Sequence, residues 1–370
     1  MKSPLRGSNS KKWACLVLAL VPLQGCSSDT DKTRAPTAGK DAGRDAGESG
    51  GGHIYVTMMG DDEVAVVDAE THAVTRHIPV GVNPAILLGT PDRSRLYSAN
   101  WGDNTLSSID VSSAEVTSIA LHGRPWVIAM SPDGKSLYAG LGSNEIAVID
   151  TKSDTVARTM PFDVLPASII VSPDSSTLYV ARLTDSTLEA ISADTGSVIH
   201  PPIPVGGSPA WITILPDGST VYTLNFLSGD VTVVDTAAWQ VTTTVSDGMG
   251  SAGIVGNVTP DGSLLCVTDY GTEDLSAIDT KKNAVAWTLP TEGRPVSIGF
   301  SPDGKRGYVG DYGPDSVAVT PADLITALGS GTLLKITGSG HLTEFDPKTG
   351  MRVGDPMMVG KGPSSLVVIP

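Results

Sequence analysis

Aromatic rings stand beside polar or charged side chains in several short segments that separate the apolar runs of this sequence. The members of a first group directly follow an apolar run: Asn100, Trp101, Arg182, Asn225, Phe226, Asp269, Tyr270, Asp311 and Tyr312. The members of a second group lie where an apolar run begins: His122, Arg124, Trp126, Trp211 and Arg294. Such mixtures suit a binding rim for a glycan, a peptide, a small ligand or a protein partner. The alternative is that the rings cover strand ends, while the amides and carboxylates form turns.

Four of these side chains carry oxygen atoms that suit a metal ion. Asn100, Asn225, Asp269 and Asp311 occupy equivalent places in four of the repeating units, so their side chains could point toward one axis. Amide and carboxylate oxygens suit calcium or a similar hard cation. Because no compact metal motif is present, no cofactor is predicted, and a divalent cation is kept as an alternative.

Few sequence signatures of catalysis accompany these residues. The chain contains no C-x-x-C-H haem-attachment motif and no P-loop. Cys266 lies in an apolar run without a basic neighbour that would lower the pKa of its thiol, so a structural role is expected. No catalytic residue is therefore assigned from the sequence.

The elements that must position these side chains recur along the chain. A Pro-Asp pair marks a corner every 41 to 44 residues, with its aspartate at Asp92, Asp133, Asp174, Asp217, Asp261 and Asp303. A second marker is an apolar run that closes on an aspartate, at Asp68, Asp110, Asp150, Asp235 and Asp279, with Ser192 in one unit. A period of about 42 residues indicates a repeat architecture.

Each repeating unit divides into four short strands. In the third unit they are residues 125–130, 137–140, 145–149 and 155–160. The corner Ser131-Pro132-Asp133-Gly134 joins the first two strands. Proline presets φ at the first turn position and glycine accepts a left-handed backbone, so this corner predicts a tight hairpin turn. The closing Asp150 is expected to accept backbone N–H bonds in the next turn.

The two ends of the chain complete the repeat. Residues 53–57 match the second strand of a unit, whereas residues 363–370 match a first strand. The C-terminal strand can therefore join the N-terminal unit, and first strands then begin near residues 84, 125, 166, 209, 252, 295 and 363. Four-stranded units that are apolar on both faces indicate an all-β protein, a seven-bladed β-propeller closed by both chain ends in one blade.

Several segments resemble YVTN β-propeller repeats. They are Leu178-Tyr179-Val180, the Val-x-Val-Val-Asp-Thr segment that ends at Thr236, and the segment from Pro79 to Pro84. The resemblance covers essentially all of residues 53–370 and implies a lactonase-like seven-bladed propeller. The seventh unit departs from it, because an insertion at about 321–340 is predicted to begin as a helix at Thr320-Pro321 and leaves the strand count of that blade open.

The N-terminal segment resembles the signal of bacterial lipoproteins. Four basic residues precede an apolar run over residues 13–23, and Leu23-Gln24-Gly25-Cys26 matches the lipobox. The resemblance implies a signal peptide over residues 1–25 and acylation of Cys26, which would hold the protein on a membrane. Ser27 matches the pattern of lipoproteins that are exported to the outer membrane.

The acylated Cys26 would lead into a tether over residues 26–52, which is predicted to be disordered because it is rich in small and polar residues. The chain carries a formal net charge of −15, which argues against nucleic acid or anionic lipid as direct partners. We therefore expect an exported, monomeric propeller that is periplasmic or surface-facing. Its expected partners are the membrane, through Cys26, and an envelope protein or glycan.

In a propeller, the loops between second and third strands share one face with the loops between blades. Both groups of rim residues fall on that face, where propellers commonly bind ligands at the central channel. The favoured function is a binding or scaffolding module of the cell envelope. The alternatives are a lactonase-type hydrolase, assisted by a metal on the Asn and Asp set, and an electron-transfer partner similar to amine-dehydrogenase propellers.

Overall fold

A computed structural model describes residues 52–246, 248–313 and 338–370 of the chain. Within these ranges, 28 strands form seven antiparallel sheets of four strands each, and no helix occurs. In this part of the chain, no helical segment is therefore long and apolar enough to cross a membrane. The sheets are the blades of a seven-bladed β-propeller, which confirms the predicted fold class.

The strands of the first four blades are as follows. Blade one contains β1 (His53–Met58), β2 (Glu63–Asp68), β3 (Val74–Pro79) and the C-terminal β28 (Pro363–Ile369). Blade two contains β4 (Pro84–Gly89), β5 (Arg95–Asn100), β6 (Thr105–Asp110) and β7 (Val116–Ala120). Blade three contains β8 (Pro125–Met130), β9 (Ser136–Leu141), β10 (Glu145–Asp150) and β11 (Thr155–Pro161). Blade four contains β12 (Pro166–Val171), β13 (Thr177–Arg182), β14 (Thr187–Ser192) and β15 (Val198–Pro204).

The strands of the last three blades follow the same order. Blade five contains β16 (Pro209–Ile214), β17 (Thr220–Asn225), β18 (Asp230–Asp235) and β19 (Gln240–Val245). Blade six contains β20 (Gly253–Val258), β21 (Leu264–Asp269), β22 (Asp274–Asp279) and β23 (Ala284–Pro290). Blade seven contains β24 (Pro295–Phe300), β25 (Gly307–Asp311), β26 (Ser339–Phe345) and β27 (Met357–Lys361).

The first strand of each blade lies at the centre of the ring. Going round, β28 packs against β4, β4 against β8, β8 against β12, β12 against β16, β16 against β20, β20 against β24, and β24 against β28. The second and third strands are buried over most of their length, whereas fourth strands such as β7 and β15 are largely exposed. The apolar core therefore lies between neighbouring blades.

The ring is closed by hydrogen bonding between the two ends of the described chain. Strand β28 pairs antiparallel with β1, and Ile54 lies opposite Val368 while Val56 lies opposite Leu366. This pairing confirms the prediction that the C-terminal strand completes the N-terminal blade. It also gives β1 a hydrogen-bonded neighbour on both of its edges, so this strand presents no free edge as a template for aggregation.

The repeated corners form the predicted hairpin turns. In blade three, the Gly134 N–H donates to the Ser131 carbonyl at 2.8 Å, and φ of Gly134 is +71°. Asp133 stabilises the turn, because its Oδ1 accepts a hydrogen bond from the Ser131 hydroxyl at 2.7 Å. The closing Asp150 accepts from the backbone N–H groups of Lys152 and Ser153 at 3.0 and 2.9 Å, as predicted.

Three strands of blade three are longer than the sequence predicted, and one predicted segment lies outside the described residues. Strand β20 begins at Gly253, in agreement with the predicted start near residue 252, and the preceding Ala252 has a left-handed backbone with φ of +57°. In blade three the second strand spans Ser136–Leu141, one residue longer than predicted at each end, and the third and fourth strands each end one residue later than predicted, at Asp150 and Pro161. The predicted helix at Thr320-Pro321 lies outside the described residues, as does most of the insertion at 321–340.

Tyrosine hydroxyls connect neighbouring blades at the end of the propeller that carries the corners. Tyr97 in β5 donates to the Asp154 carboxylate of blade three at 2.7 Å. Tyr222 in β17 reaches the Thr280 carbonyl of blade six at 3.4 Å. Cys266 takes the same strand position in β21, where it is free and fully buried, and burial raises the pKa of its thiol. This cysteine therefore fills space in the core, in keeping with the structural role expected of it.

Ring closure should depend on the packing of Leu366, which is 6% exposed and lies directly over Gly299 of blade seven. We expect Leu366→Ala to lower the free energy of unfolding by about 2–5 kcal/mol, because it leaves a cavity at the closing seam. The matched control is Leu227→Ala, since Leu227 is 60% exposed and should change stability by less than about 0.5 kcal/mol. Urea unfolding of both variants measures the difference, and equal stabilities would contradict the role of this contact.

Candidate functional site

Loops between second and third strands are hydrogen-bonded to the loops between blades. The backbone N–H of Trp101 donates to the Asn83 carbonyl at 3.0 Å, and that of Tyr312 donates to the Arg294 carbonyl at 3.1 Å. The equivalent bond in blade six, from Tyr270 to Ala252, is 3.3 Å long. Both groups of predicted rim residues therefore lie at one face of the propeller, which we call the rim face.

A cavity of about 410 Å³ occupies the centre of the ring. Its wall contains residues from all seven first strands, together with loop residues such as Met59, Leu165 and Leu183. No charged side chain of the described residues lines it. The central channel is therefore an apolar cavity that is bordered by the loops of the rim face.

Each first strand contains a β-bulge at its second residue. In blade three, Pro125 pairs with Leu141 and Val127 pairs with Gly140, so Trp126 has no partner across the ladder. The same register shift occurs at the second residue of the first strand in the six other blades. Because a bulge redirects the side chain of the extra residue, it can turn this position toward the axis.

All seven bulged residues line the cavity, and we call them the bulge ring: Ser364, Ala85, Trp126, Ala167, Ala210, Ile254 and Val296. Sequence reasoning identified only Trp126 among them, because small apolar residues carry no chemical signal of their own. The members of the bulge ring can be recognised in the sequence by their position, because each one directly follows the residue that begins a first strand. That residue is proline in six blades and Gly253 in blade six.

Five of the predicted rim residues form an aromatic collar around the cavity: Trp101, Trp126, Trp211, Tyr270 and Tyr312. The rings of Trp101 and Trp126 lie 4.9 Å apart between centroids and are tilted by 58°. The indole N–H of Trp211 donates to the Gly256 carbonyl at 2.8 Å, which fixes the orientation of that ring. The structure therefore brings the predicted aromatic residues of five different blades together at one cavity.

Two arginines stand over rings of this collar. The guanidinium carbon of Arg124 lies 5.8 Å from the ring centroid of Trp126, and that of Arg294 lies 5.1 Å from the ring centroid of Tyr270. Arg294 also lies 3.6 Å from a carboxylate oxygen of Glu273. These cations stack on the outer aromatic surfaces without lining the cavity.

The two remaining rim candidates of these loops do not line the cavity. His122 is exposed in the loop between blades two and three. Phe226 is buried, and its backbone N–H donates to the Ser208 carbonyl at 3.0 Å. The geometry therefore gives Phe226 a packing position beneath the loop between blades four and five.

Asn100 and Asn225 lie inside their own blades. The Asn100 Oδ1 accepts from the Ser98 hydroxyl at 3.0 Å, and its Nδ2 donates to the Ser107 hydroxyl at 3.0 Å. Asn225 donates in the same way to Thr232 at 2.9 Å. Both amides are buried, and their hydrogen bonds join the second and third strands of the sheet. The two residues thus act as structural links in equivalent blades.

Asp269 and Asp311 hold carboxylates in the same strand position. Both side chains are fully buried. Neither oxygen of Asp269 makes a hydrogen bond within the described part of the chain, and burial raises the pKa of this carboxyl to about 7. Asp311 accepts from the Gly313 N–H at 2.8 Å and faces His341 Nδ1 at 3.4 Å, and burial also raises its pKa.

Arg182 replaces the amide in blade four and is surrounded by carboxylates. Its guanidinium group donates to Asp163 at 2.7 Å, to Asp185 at 3.0 Å and to Glu189 at 2.8 Å. These contacts, with Asp163 first, raise the pKa of Arg182, and its side chain is only 8% exposed. Glu189 is also buried, whereas Asp163 and Asp185 are exposed, so the cluster reaches from the interior of the blade to its surface and does not line the channel.

The structure does not bring the four metal candidates together. Within residues 52–246, 248–313 and 338–370, no hydrogen bond or ion pair joins any two of Asn100, Asn225, Asp269 and Asp311. The same residues contain no group of three His, Cys, Asp or Glu side chains that could hold a metal ion. Each candidate instead lies within the sheet of its own blade.

Fold and cavity together define a propeller with a ligand-sized central channel. A model of the YNCE-like beta-propeller family matches residues 1–212, more than half of the chain, so the chain belongs to that family. Antigen Lp49 of Leptospira interrogans is 27% identical in an alignment of length 163, which covers 40% of this chain and 34% of that protein. The chain thus spans about a third of the length of this curated relative.

Solved structures show the same fold at low sequence identity. Kuenenia stuttgartiensis hydrazine synthase superposes with a TM-score of 0.64 and 22% identity, covering 70% of this chain and 89% of that one. A protein of unknown function from Desulfotomaculum acetoxidans superposes with a TM-score of 0.66 and 13% identity, covering 86% of this chain and 98% of that one. The dihydro-heme d1 dehydrogenase NirN, solved in complex with DHE, superposes with a TM-score of 0.60 and 16% identity, covering 88% of this chain and 77% of that one. At these identities the likeness concerns the fold alone.

Replacement of Asp269 by asparagine should stabilise the propeller at neutral and higher pH. The folded-state pKa of about 7 lies above the ordinary value of 3.8, so wild-type stability falls as pH rises between these values. We expect Asp269→Asn to raise the free energy of unfolding at pH 8 by about 2–4 kcal/mol and to change it little at pH 4. Urea unfolding at the two pH values measures this.

The matched control is Asn225→Asp, which places a second carboxylate beside Asp230, the acceptor of the Asn225 amide at 2.6 Å. It should destabilise the protein at pH 8 and do so less at pH 4. A pH-independent effect of Asp269→Asn would show that the buried carboxylate does not titrate as described.

Proposed function

We propose that this chain is a lipid-anchored binding module of the bacterial cell envelope, which takes its ligand into the central channel from the rim face. The observation that carries the proposal is the cavity of about 410 Å³, lined by the bulge ring and the aromatic collar. Its volume falls within the range of small-molecule sites, about 300–1,000 Å³. Aromatic surfaces at the entrance would contribute strongly to the affinity for a ligand or for an inserted side chain.

Binding agrees better with the geometry than hydrolysis does. A hydrolase needs polar groups that converge on a reacting atom. The amides of Asn100 and Asn225 are engaged within their own blades. The channel itself presents apolar and aromatic surface, with few polar side chains and no charged one among the described residues. This surface can hold a ligand, but it offers no evident acid, base or nucleophile.

The proposed location rests on the sequence of the N-terminal segment. The lipobox that ends at Cys26 would attach acyl chains, and residues 27–52 would separate the propeller from the lipid surface. Ser27 favours the outer membrane.

Occlusion of the channel should abolish ligand retention. Ala167 and Ala210 lie on adjacent blades of the bulge ring, so the double variant Ala167→Phe, Ala210→Phe would fill the space between them. We expect organic extracts of the purified wild-type chain to contain a small molecule that mass spectrometry does not find with the filled variant. The control Ala238→Phe changes an exposed residue in the loop between β18 and β19 and should retain the compound. Identical extracts from all three proteins would contradict the proposal.

Loss of the proposed acylation site should release the protein from membranes. We expect Cys26→Ala to move the chain from the membrane fraction to the soluble fraction, because no other anchor is proposed for it. Cys266→Ala is the matched control, since Cys266 is buried in the blade and should not affect fractionation. Cell fractionation with immunoblotting decides the question, and an unchanged membrane fraction for Cys26→Ala would disprove the anchor.

A further inference from the structure

We infer that the ligand of the central channel is an uncharged, largely apolar small molecule that contains at least one ring. This inference rests on the proposed function and adds the chemical class of the ligand. It follows from three properties of the cavity: the chemistry of its wall, its size and asymmetry, and the charges around its entrance.

The wall of the cavity offers almost nothing that could solvate a charge. Ser364, Ser365 and Asn257 already donate hydrogen bonds to the backbone of neighbouring blades, and the buried Ser297 hydroxyl is uncharged and has no partner among the described residues. The Ser364 hydroxyl donates to the Pro84 carbonyl at 2.9 Å, and the Asn257 amide donates to the Ile298 carbonyl at 2.8 Å. A charged group that entered the channel would lose its hydration and gain no counter-charge, which is costly. An uncharged ligand would not incur this cost.

The bulge ring makes the cavity asymmetric. Three of its seven positions are alanines, Ala85, Ala167 and Ala210, whereas Trp126 projects from the blade between the first two. Trp126 packs against Trp101, so one side of the cavity is a wall of two indole rings. A volume of about 410 Å³ lies near the small end of ligand sites. This space suits a compact, flat molecule rather than a long polymer.

The aromatic collar favours a ring over an aliphatic chain. Aromatic rings prefer offset or edge-to-face contacts. A ring of the ligand could make such contacts with the tilted rings of Trp101 and Trp126. Trp211 is held by its bond to the Gly256 carbonyl, so its ring is fixed in place before a ligand arrives. A rigid, pre-positioned aromatic surface reduces the entropy that is lost on binding.

Charges at the rim face do not select an anion. Asp103, Asp185 and Glu273 lie in loops of this face, and the whole chain carries a net charge of −15. Arg294 stands beside Glu273, and Arg124 stacks on Trp126 outside the cavity. An acidic surface lowers the local concentration of anions. The apolar interior of the cavity in turn disfavours cations. An uncharged molecule is therefore the class of ligand that fits both the rim face and the cavity.

The test uses two fluorescent dyes that share one skeleton. N-phenyl-1-naphthylamine is uncharged, and 8-anilino-1-naphthalenesulfonate adds a sulfonate to the same rings. Both dyes become brighter in apolar surroundings. Each is titrated into the full chain, into the filled variant Ala167→Phe, Ala210→Phe, and into the control Ala238→Phe. The filled variant measures the background from detergent and acyl chains.

We expect the uncharged dye to bind the wild-type chain and Ala238→Phe saturably, with one site per chain, and not to bind the filled variant above background. The sulfonate should bind this site at least about ten-fold more weakly, because its charge must be desolvated. Equal or tighter binding of the sulfonate at the channel would overturn the inference while leaving channel binding intact. Binding of neither dye above background would also overturn it.

Failure of the proposed function would look different. In that case neither the dyes nor any co-purified compound would distinguish the wild-type chain from the filled variant. A co-purified compound that the filled variant loses, but that is ionic, would support channel binding and overturn only the ligand class.

Discussion

Every blade of this protein is apolar on both of its faces, and the rest of the structure depends on that constraint. The second and third strands of a blade are buried over nearly their whole length, so each sheet needs a neighbour on either side. An open row of such sheets would leave one apolar face in water at each end. Closing the row into a ring removes both faces. The pairing of β28 with β1 builds this closure into the hydrogen bonds of blade one.

The ring also creates the site. Seven first strands around one axis cannot fill the centre completely, and the β-bulge at the second residue of each strand turns one side chain per blade into the remaining space. The character of the channel can therefore change one blade at a time without disturbing the ladder of a sheet. In this chain the seven positions are uncharged and mostly small, and Trp126 gives the cavity its shape.

In three loops of the rim face, a buried residue of the scaffold is followed directly by a residue that lines the cavity. Successive side chains of a strand point to opposite sides, so Asn100 shares a side of the sheet with Ser98 and bonds to it. The next residue, Trp101, lines the cavity. In the same way, the buried Asp269 is followed by Tyr270 and the buried Asp311 by Tyr312, and both tyrosines line the cavity. Equivalence in the repeat located these pairs correctly, but it did not tell which member of each pair faces the axis.

The sequence by itself determined the repeat, the corner turns, seven blades and closure by the chain ends, because each of these follows from local turn chemistry or from a period along the chain. It also identified the aromatic residues of the collar, since large rings near polar loops are visible in a sequence. Only the tertiary structure decided that Trp101, Trp126 and Trp211 meet at one cavity, and that small residues such as Ala167 form its wall. The physical reason is that a β-bulge and the curvature of the ring of blades set the direction of a side chain, and neither of them can be recognised from the type of the residue.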